Sequence, residues 1–317
     1  MVQAIGVTRP GGPDALGELD LAAEPIGPGQ VRIRVTSATV NPVDAMIRAR
    51  PRQDEADEAD EADAVRVPGM EVAGVITEIG PAVDRPFTIG DAVMAIVVPS
   101  GEHGGYRADL VVPARSVARI PAGLSHAQAA TVPMNGLTAQ LALDTLALPA
   151  GATVAVTGAA GSVGGYFVQL AKLAGLVVVA DAARQDETFV RDCGADEVVP
   201  RGDDFAAEVR RRHHGGVDGL LDAAALEAAA LPAVKDGGTV VTVRGYQGDG
   251  TDRVRVVPIF VRDYVEAAAE LDRLAALAGD GRLTVRVAGR LPAARAADAH
   301  RSLERRGVRG RFVLRFD

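Results

Sequence analysis

The sequence has very little cysteine, lysine and aromatic character. Cys193 is the single cysteine in 317 residues, which excludes an internal disulfide and a zinc site built from several thiolates. We interpret it as a buried residue without a chemical role. Tryptophan is absent, and only Lys172 and Lys235 among the 34 basic residues are lysines. We attribute this composition to genomic bias and draw no functional conclusion from it.

Long apolar runs and excess positive charge are also missing. No apolar stretch reaches the roughly 18 residues that a membrane span needs, and residues 2–8 have the pattern of a strand and not of a secretory leader. The sequence therefore predicts a cytoplasmic protein. The net charge of −8 disfavours nucleic acid and anionic membranes as main partners.

The apolar pattern indicates a globular protein. Because a domain of about 150 residues is typical, the length predicts two domains. Residues 1–121 contain strand-like segments at 31–40, 72–79, 92–98 and 108–112, separated by glycine and proline. Residues 122–262 alternate between helix-like and strand-like segments, which predicts a parallel sheet with crossover helices. Later strands are expected at 219–222, 239–243 and 254–259. Residues 263–317 contain a predicted helix at 264–278, followed by short strands near Val285 and at 312–316, and are expected to return to the first domain.

The most informative motif is Gly-Ala-Ala-Gly-Ser-Val-Gly at residues 158–164. It follows an apolar run at 152–156 and precedes an apolar helix at 166–173, so it predicts a strand, a glycine turn and a helix. Such a turn lets the backbone approach a pyrophosphate, which the amides at the helix N terminus bind. A turn of the same shape without a ligand is the alternative from the motif alone.

One segment is strongly acidic. Seven of the ten residues at 54–63 are aspartate or glutamate, and their mutual repulsion predicts a solvated loop. A tolerated insertion is the favoured interpretation, and a lid or a metal-binding tract is the alternative.

Several short motifs in order resemble the medium-chain dehydrogenase/reductase superfamily. They lie at residues 39–44, 68–74, 90–93, 104–106, 137–139, 194–196, 216–218, 237–238 and 308–314, with the glycine turn at the expected distance between them. The chain is most similar to the zinc-independent quinone oxidoreductase group, which includes the zeta-crystallin-like proteins.

The resemblance implies an α/β fold with two domains. A GroES-like β-rich catalytic domain would be formed by both ends of the chain, and a Rossmann domain with a doubly wound parallel sheet would lie between them, with the nicotinamide in the cleft. It also implies hydride transfer from NADPH to a small quinone or α,β-unsaturated carbonyl. Many members are homodimers that extend the Rossmann sheet, and residues 254–259 would be the edge strand.

Zinc is not expected. The superfamily places its catalytic histidine in a Gly-His-Glu triplet, where this chain has Gly69, Met70 and Glu71, and no cysteine precedes Cys193. The scattered histidines, His103, His126, His213, His214 and His300, lack ligand spacing and are interpreted as surface or packing residues.

Asn41 is the first candidate for a catalytic residue, because the family places this asparagine beside the nicotinamide and the substrate carbonyl. Its amide would donate a hydrogen bond to the oxygen that gains charge, and Asp44 is a second candidate. The alternative is structural, since Asn41, Pro42 and Asp44 also make a good helix start. Many relatives carry a tyrosine after this helix, where this chain has Arg50-Pro51-Arg52, so the proton donor is not identified.

Cofactor contacts are expected along the second domain. The glycine turn supplies Gly158, Ala160, Gly161, Ser162, Val163 and Gly164, and the resemblance adds Thr138, Val243, Arg244, Gly245 and Arg311. Asp181 would bind the ribose 2′-hydroxyl of NADH, whereas Arg184 and Arg201 would pair with the 2′-phosphate of NADPH. NADPH is favoured and NADH is the alternative.

Three functions remain open. The first is an NADPH-dependent quinone or enone reductase, with Tyr106, Met134, Asn135, Tyr246 and Phe260 as candidate pocket residues. The second is an enoyl reductase acting on acyl thioesters in polyketide or fatty-acyl assembly. The third is a cofactor-binding protein without turnover.

Overall fold

The computed structural model describes residues 1–49, 65–248, 250, 253–305 and 307–316. The strands are β1 (Val2–Gly6), β2 (Gly17–Leu21), β3 (Gln30–Val40), β4 (Glu71–Ile79), β5 (Ala92–Ile96), β6 (Asp109–Pro113), β7 (Val117–Arg119), β8 (Thr153–Thr157), β9 (Val177–Ala182), β10 (Glu197–Pro200), β11 (Val217–Asp222), β12 (Val234–Thr242), β13 (Arg255–Pro258), β14 (Val287–Pro292) and β15 (Arg311–Arg315). The α-helices are α1 (Pro42–Ala49), α2 (His126–Ala129), α3 (Pro133–Leu146), α4 (Ser162–Leu173), α5 (Glu187–Asp192), α6 (Phe205–Arg212), α7 (Ala268–Gly279) and α8 (Ala296–Glu304). None of the helices in these ranges is long and apolar enough to cross a bilayer.

The first compact unit comprises Met1–Met134, Val265–Asp280 and Val285–Asp317. Its main sheet has the order β14-β15-β3-β4-β5-β7, and β6 pairs with β3. The pairing is antiparallel except between β14 and β15, which run parallel. Along β3, Val31, Ile33 and Val35 are buried and alternate with arginines on the other face, as the period of two in a strand requires.

The second unit comprises Asn135–Tyr264 and Gly281–Thr284. Its six strands are parallel in the order β10-β9-β8-β11-β12-β13. If these strands are numbered 1 to 6 in chain order, with β8 as strand 1, the order is 3-2-1-4-5-6, which is the order of dinucleotide-binding sheets. Central strands such as β8 are continuous apolar runs because both of their faces are buried. The predicted α/β class, with a β-rich domain and a parallel Rossmann-type sheet, is confirmed.

The division of the chain differs from the predicted domain ends at 121 and 262. Residues up to Met134 belong to the first unit, because the Thr39 hydroxyl donates to the Ala130 carbonyl at 2.6 Å and Glu71 accepts from the Met134 amide at 2.8 Å. The segment Gly281–Thr284 belongs to the second unit, where the Thr284 amide donates to Gln169 Oε1 at 2.7 Å.

Two helix boundaries also differ from the sequence prediction. The helix expected from residue 166 begins at Ser162, since glycines in its first turn hid the helical pattern. The helix expected at 264–278 is α7, Ala268–Gly279, because Val261–Tyr264 forms a 3-10 turn instead. The strand expected at 254–259 is β13, which lies at the edge of the parallel sheet.

Candidate functional site

The glycine turn connects β8 to α4 and depends on two special positions. Gly158 has a φ of 69°, in the left-handed region that glycine adopts without steric cost. A Cβ on Gly164 would lie 2.3 Å from the Gly158 carbonyl oxygen, so only a glycine lets α4 start this close to β8. Gly161 is the N-cap and makes no side-chain cap, which leaves the first amides of α4 without that partner.

Ser162 gives a test of whether this turn fits a ligand. Its Oγ is buried and has no hydrogen-bond partner among the described residues. A buried hydroxyl without a partner is unfavourable, and a phosphate oxygen at the N terminus of α4 would supply one. Ala160 and Val163 lie in the same turn and are buried and partly buried. The turn therefore fits a pyrophosphate.

Asp181 fastens the turn to the neighbouring strand. It lies in β9, is 3% exposed, and accepts a hydrogen bond from the Ala159 amide at 3.0 Å through Oδ1. Burial raises the pKa of Asp181, while the hydrogen bond from Ala159 and the charge of Arg201 act in the opposite direction. The observed partner of this carboxylate is the Ala159 amide of the turn. Its contact with the ribose stays a prediction.

Arg184 and Arg201 lie on either side of the carboxyl end of β9. The Arg201 amide donates to the Ala182 carbonyl at 3.0 Å, and its guanidinium Nε lies 3.9 Å from Asp181 Oδ2. Arg184 follows β9 directly, is exposed, and makes no ion pair with any described residue. Two cationic side chains therefore lie at this edge of the sheet.

The predicted residues after β12 lie at the carboxyl edge of the same sheet. Val243 is partly buried and Arg244 is exposed, and Gly245 has a φ of 82°. The Tyr246 carbonyl accepts from Thr242 Oγ1 at 2.8 Å. The Phe260 ring lies near Gly245, is 43% exposed and carries the guanidinium of Arg262 over its face.

The predicted pocket residues Met134 and Asn135 and the predicted cofactor contact Thr138 lie in the first turns of α3. Met134, Asn135 and Thr138 are all buried, and Met134 ends the first unit whereas Asn135 begins the second. Asn135 is 0% exposed, and its predicted place on a pocket surface stays a prediction.

The first unit contains a buried polar cluster around Asn41. Asn41 is 0% exposed, and its Nδ2 donates to Glu71 Oε1 at 2.9 Å. Glu71 Oε2 accepts from the Met134 amide at 2.8 Å. The amide nitrogen that was predicted to donate to a substrate oxygen is therefore held by a buried carboxylate.

Asp44 continues this cluster and caps α1. Its Oδ2 accepts from the Asn41 amide at 2.7 Å, as in the helix start considered from the sequence, and its Oδ1 accepts from the Gly69 amide at 2.9 Å. The Tyr106 hydroxyl also donates to Oδ2, at 3.3 Å. Tyr106 is 0% exposed and belongs to the hydrophobic core of this unit; its predicted role as a pocket residue stays a prediction.

A chain of hydrogen bonds leads from Tyr106 to the surface. Arg48 Nη1 donates to His300 Nδ1 at 3.0 Å, which leaves Nε2 as the protonated nitrogen of His300 that faces the Tyr106 hydroxyl at 3.2 Å. Arg48 Nη2 pairs with Glu304 at 2.6 Å. Burial and the charge of Arg48 lower the pKa of His300 to about 3, so this imidazole is neutral.

The two acidic side chains of the cluster have strongly shifted pKa values. Burial raises the pKa of Asp44 to about 7, against the opposing effect of its hydrogen bonds. Burial likewise raises the pKa of Glu71 to about 7. The positive charge of Arg311 lowers both pKa values, so this predicted cofactor contact acts on the two carboxylates within its own unit.

Sequence reasoning missed Glu71, Arg48 and His300 as members of this cluster. Glu71 was detectable, since it is the last residue of the Gly-Met-Glu triplet that replaces Gly-His-Glu. Met70, at the position of the zinc ligand, is 7% exposed. The described residues contain no group of three or more histidine, cysteine or acidic side chains that could hold a metal; the absence of zinc in the protein stays a prediction.

Some predictions fall on residues 50–64, which lie outside the described part of the chain. These include Arg50-Pro51-Arg52, at the position where relatives carry a tyrosine, and the acidic segment 54–63.

Two protein families match this chain. Residues 27–122 match the family described as alcohol dehydrogenase GroES-like domain, and residues 193–314 match the family described as zinc-binding dehydrogenase.

Individual relatives agree with these matches. An NADPH-dependent alkenal/one oxidoreductase of Arabidopsis thaliana is 30% identical over 96% of this chain and 77% of its own length. The structure of a mycobacterial quinone oxidoreductase is 27% identical, with a TM-score of 0.80 and coverage of 100% of both chains.

A pikromycin polyketide synthase component of Streptomyces venezuelae is also similar, at 36% identity over 70% of this chain. The chain spans only 6% of that much longer synthase. The matches to the two families and to the full-length oxidoreductases confirm the resemblance found in the motifs. The chain belongs to the medium-chain dehydrogenase/reductase superfamily of oxidoreductases, in its quinone oxidoreductase group.

Proposed function

We propose that this chain is an NADPH-dependent reductase of a quinone or an α,β-unsaturated carbonyl. The observation that carries the proposal is the glycine turn at the carboxyl edge of the parallel sheet, with the buried Ser162 hydroxyl that lacks a partner among the described residues. Membership of an oxidoreductase family and the similarity to an alkenal/one oxidoreductase support it.

The cofactor would be held by the second unit. Ala160, Gly161, Ser162, Val163 and Gly164 would bind the pyrophosphate through the amides and the hydroxyl at the start of α4. Arg184 and Arg201, at the end of β9, would pair with a 2′-phosphate, which favours NADPH over NADH. When bound, the reduced nicotinamide supplies a hydride.

Met70, at the position where the superfamily places its zinc-binding histidine, favours an acceptor that needs no metal. A quinone takes up the hydride and a proton and becomes a hydroquinone, and an enone takes up the hydride at carbon while its oxygen gains negative charge. Asn41 stays the proposed donor to that oxygen, and Asp44 would support it by fixing the start of α1. Glu71 would set the orientation of the Asn41 amide, since it accepts from Nδ2.

The deciding experiment is a titration of the purified protein with NADPH and separately with NADH, followed by addition of a quinone or an enone. We expect tighter binding of NADPH, seen as a change in nicotinamide fluorescence, and loss of that fluorescence on addition of the acceptor. Binding of neither cofactor would contradict the proposal.

A second candidate is an enoyl reductase acting on acyl thioesters, favoured by the similarity to a polyketide synthase component. A panel of free quinones, free enones and acyl thioesters separates the candidates. Turnover of acyl thioesters alone would replace the first proposal with the second. Binding of NADPH without turnover of any acceptor would indicate a cofactor-binding protein.

We also propose a homodimer that pairs the edge strand β13 with its copy. The support is its position at the end of the strand order.

A further inference from the structure

A buried aspartate at the end of β11 fastens the loop that follows. Asp222 is 1% exposed, and its Oδ1 accepts from the Thr157 hydroxyl at 2.6 Å and from the Leu226 amide at 3.0 Å. Its Oδ2 accepts from the Glu227 amide at 2.7 Å. The Thr157 hydroxyl in turn accepts from the Ala224 amide at 3.0 Å. One carboxylate and one hydroxyl therefore hold three amides of this loop.

The loop is held in an unfavourable backbone conformation. Ala225 has a φ of 56° and Glu227 a φ of 55°, and side chains with a Cβ are disfavoured in this left-handed region. Such strain persists only where the surroundings impose it, and it concentrates at ligand sites. Hydrogen bonds hold the amides on both sides of Ala225 and the amide of Glu227 itself.

The loop lies at the point where the strand order reverses. Strands β9 and β10 lie on one side of β8, and β11, β12 and β13 lie on the other; ligands of such sheets bind at this point, outside the carboxyl ends of the strands. The loop also contacts the glycine turn, since a Cβ on Gly158 would lie 3.3 Å from the Ala223 carbonyl carbon.

These positions assign the two halves of a bound dinucleotide. Arg184 and Arg201 lie at the end of β9, the glycine turn follows β8, and the strained loop follows β11 on the opposite side. With its pyrophosphate on the central turn, an extended dinucleotide would have its adenosine half over β9 and its nicotinamide half over β11.

We propose that Asp222 is a positioning residue for the nicotinamide half of the cofactor. Its carboxylate fixes the loop at residues 223–227 in the conformation that receives the nicotinamide ribose. This inference rests on the proposed function, because it requires a dinucleotide on the glycine turn.

The test compares two ligands by calorimetry in wild type and Asp222→Asn. Asparagine keeps one acceptor oxygen and turns an NH₂ group toward an amide donor, so at least one loop hydrogen bond is lost. We expect NADPH to bind about tenfold more weakly, whereas adenosine 2′,5′-bisphosphate, which lacks the nicotinamide half, changes by less than about twofold. The KM for NADPH should rise while the KM for the quinone stays unchanged.

Asp218→Asn is the matched control. Asp218 lies in the same strand and accepts from the Thr153 amide at 2.7 Å, but it lies toward the amino end of β11. We expect this variant to bind both ligands like wild type.

Two further variants keep the inference testable if Asp222→Asn folds poorly. Thr157→Val removes the hydroxyl between Asp222 and the Ala224 amide and should also weaken NADPH selectively. Adding Ala225→Gly to Asp222→Asn should recover part of the affinity, because glycine adopts a φ of 56° without steric cost.

The outcomes separate the two proposals. Wild type that binds neither ligand overturns the proposed function. Wild type that binds NADPH, with Asp222→Asn and Thr157→Val binding it equally well, overturns only the role of Asp222. Equal weakening of both ligands in these variants overturns it as well, because the effect would then not be confined to the nicotinamide half.

Discussion

At the scale of single residues, the most unusual feature is a pair of fully buried carboxylates, Asp44 and Glu71. Each accepts amide hydrogen bonds through both of its oxygens. Burial raises the pKa of each carboxylate to about 7, and the unfolded chain has ordinary values near 4. Between about pH 4 and pH 7, the folded protein therefore binds more protons than the unfolded chain does.

This predicts a pH-dependent effect of Glu71→Gln on stability. Glu71 makes a contribution to the free energy of unfolding that is fully present below the unfolded pKa. This contribution is lost as the pH rises through about 7, with a slope of up to about 1.4 kcal/mol per pH unit. The stability of Glu71→Gln relative to wild type should therefore increase between pH 5 and 8, as measured by urea unfolding.

Wild type alone is not enough, because His300 changes the free energy of unfolding with pH in the opposite direction. His300 is present in both proteins, so its effect cancels in the difference between Glu71→Gln and wild type. Its pKa is lowered to about 3, so its contribution increases with pH up to about 6.5. Glu78→Gln, on the exposed end of the same strand, removes a carboxylate that pairs with Arg32 at 2.7 Å and is the control for the loss of a surface ion pair. A pH-independent difference between Glu71→Gln and wild type would contradict the prediction.

Arg184 and Arg201 should determine the choice of cofactor. Alanine at either position removes a cation that would face the 2′-phosphate, so the preference for NADPH over NADH should fall about tenfold per residue. The ratio of kcat/KM for the two cofactors measures this. Arg191→Ala on α5, an exposed arginine paired with Glu187, is the control; an unchanged ratio in both test variants would remove these arginines from the site.

At the scale of elements, the turn between β8 and α4 is set by steric contact. In Gly164→Ala the new Cβ would meet the Gly158 carbonyl oxygen at 2.3 Å, whereas in Gly165→Ala the nearest atom, the Ala159 carbonyl oxygen, lies at 3.3 Å. We expect Gly164→Ala to cost about 1–3 kcal/mol of stability and to abolish measurable NADPH binding.

Gly165→Ala should retain most of the stability and the binding, as measured by thermal unfolding and calorimetry. If the two variants bind NADPH equally well, the close approach at Gly164 does not shape the cofactor site.

The elements also show what a sequence can and cannot predict here. Most strands and the glycine turn were predictable, because apolar runs and glycines act over neighbouring residues, whereas the short strands β2, β7 and β10 were not predicted. The polar cluster was not, because its partners are distant along the chain: Arg48 and His300 are 252 residues apart. The strained loop after Asp222 gave no signal either, since alanine and glutamate do not mark left-handed backbone.

At the scale of the whole molecule, the exposed edge at β13 predicts self-association. Neighbouring residues of a strand direct their N–H groups to opposite sides, so either Val256 or Val257 offers its amide outward. Proline at that outward position should convert a dimer to a monomer with little loss of stability, as measured by sedimentation equilibrium. Proline at the other position should break the ladder with β12 and destabilise the fold. A wild-type monomer would contradict the proposed dimer.

The placement of β15 between β14 and β3 has a consequence for biosynthesis. On the ribosome, nearly all of the parallel-sheet unit emerges before residues 311–315, which complete the other sheet. In a nascent chain, the part of β3 that pairs with β15, residues 37–40, therefore stays unpaired with β15 while more than two hundred further residues are translated. Premature termination in that interval would leave this edge unpaired and prone to aggregation, so errors late in translation should be the most damaging.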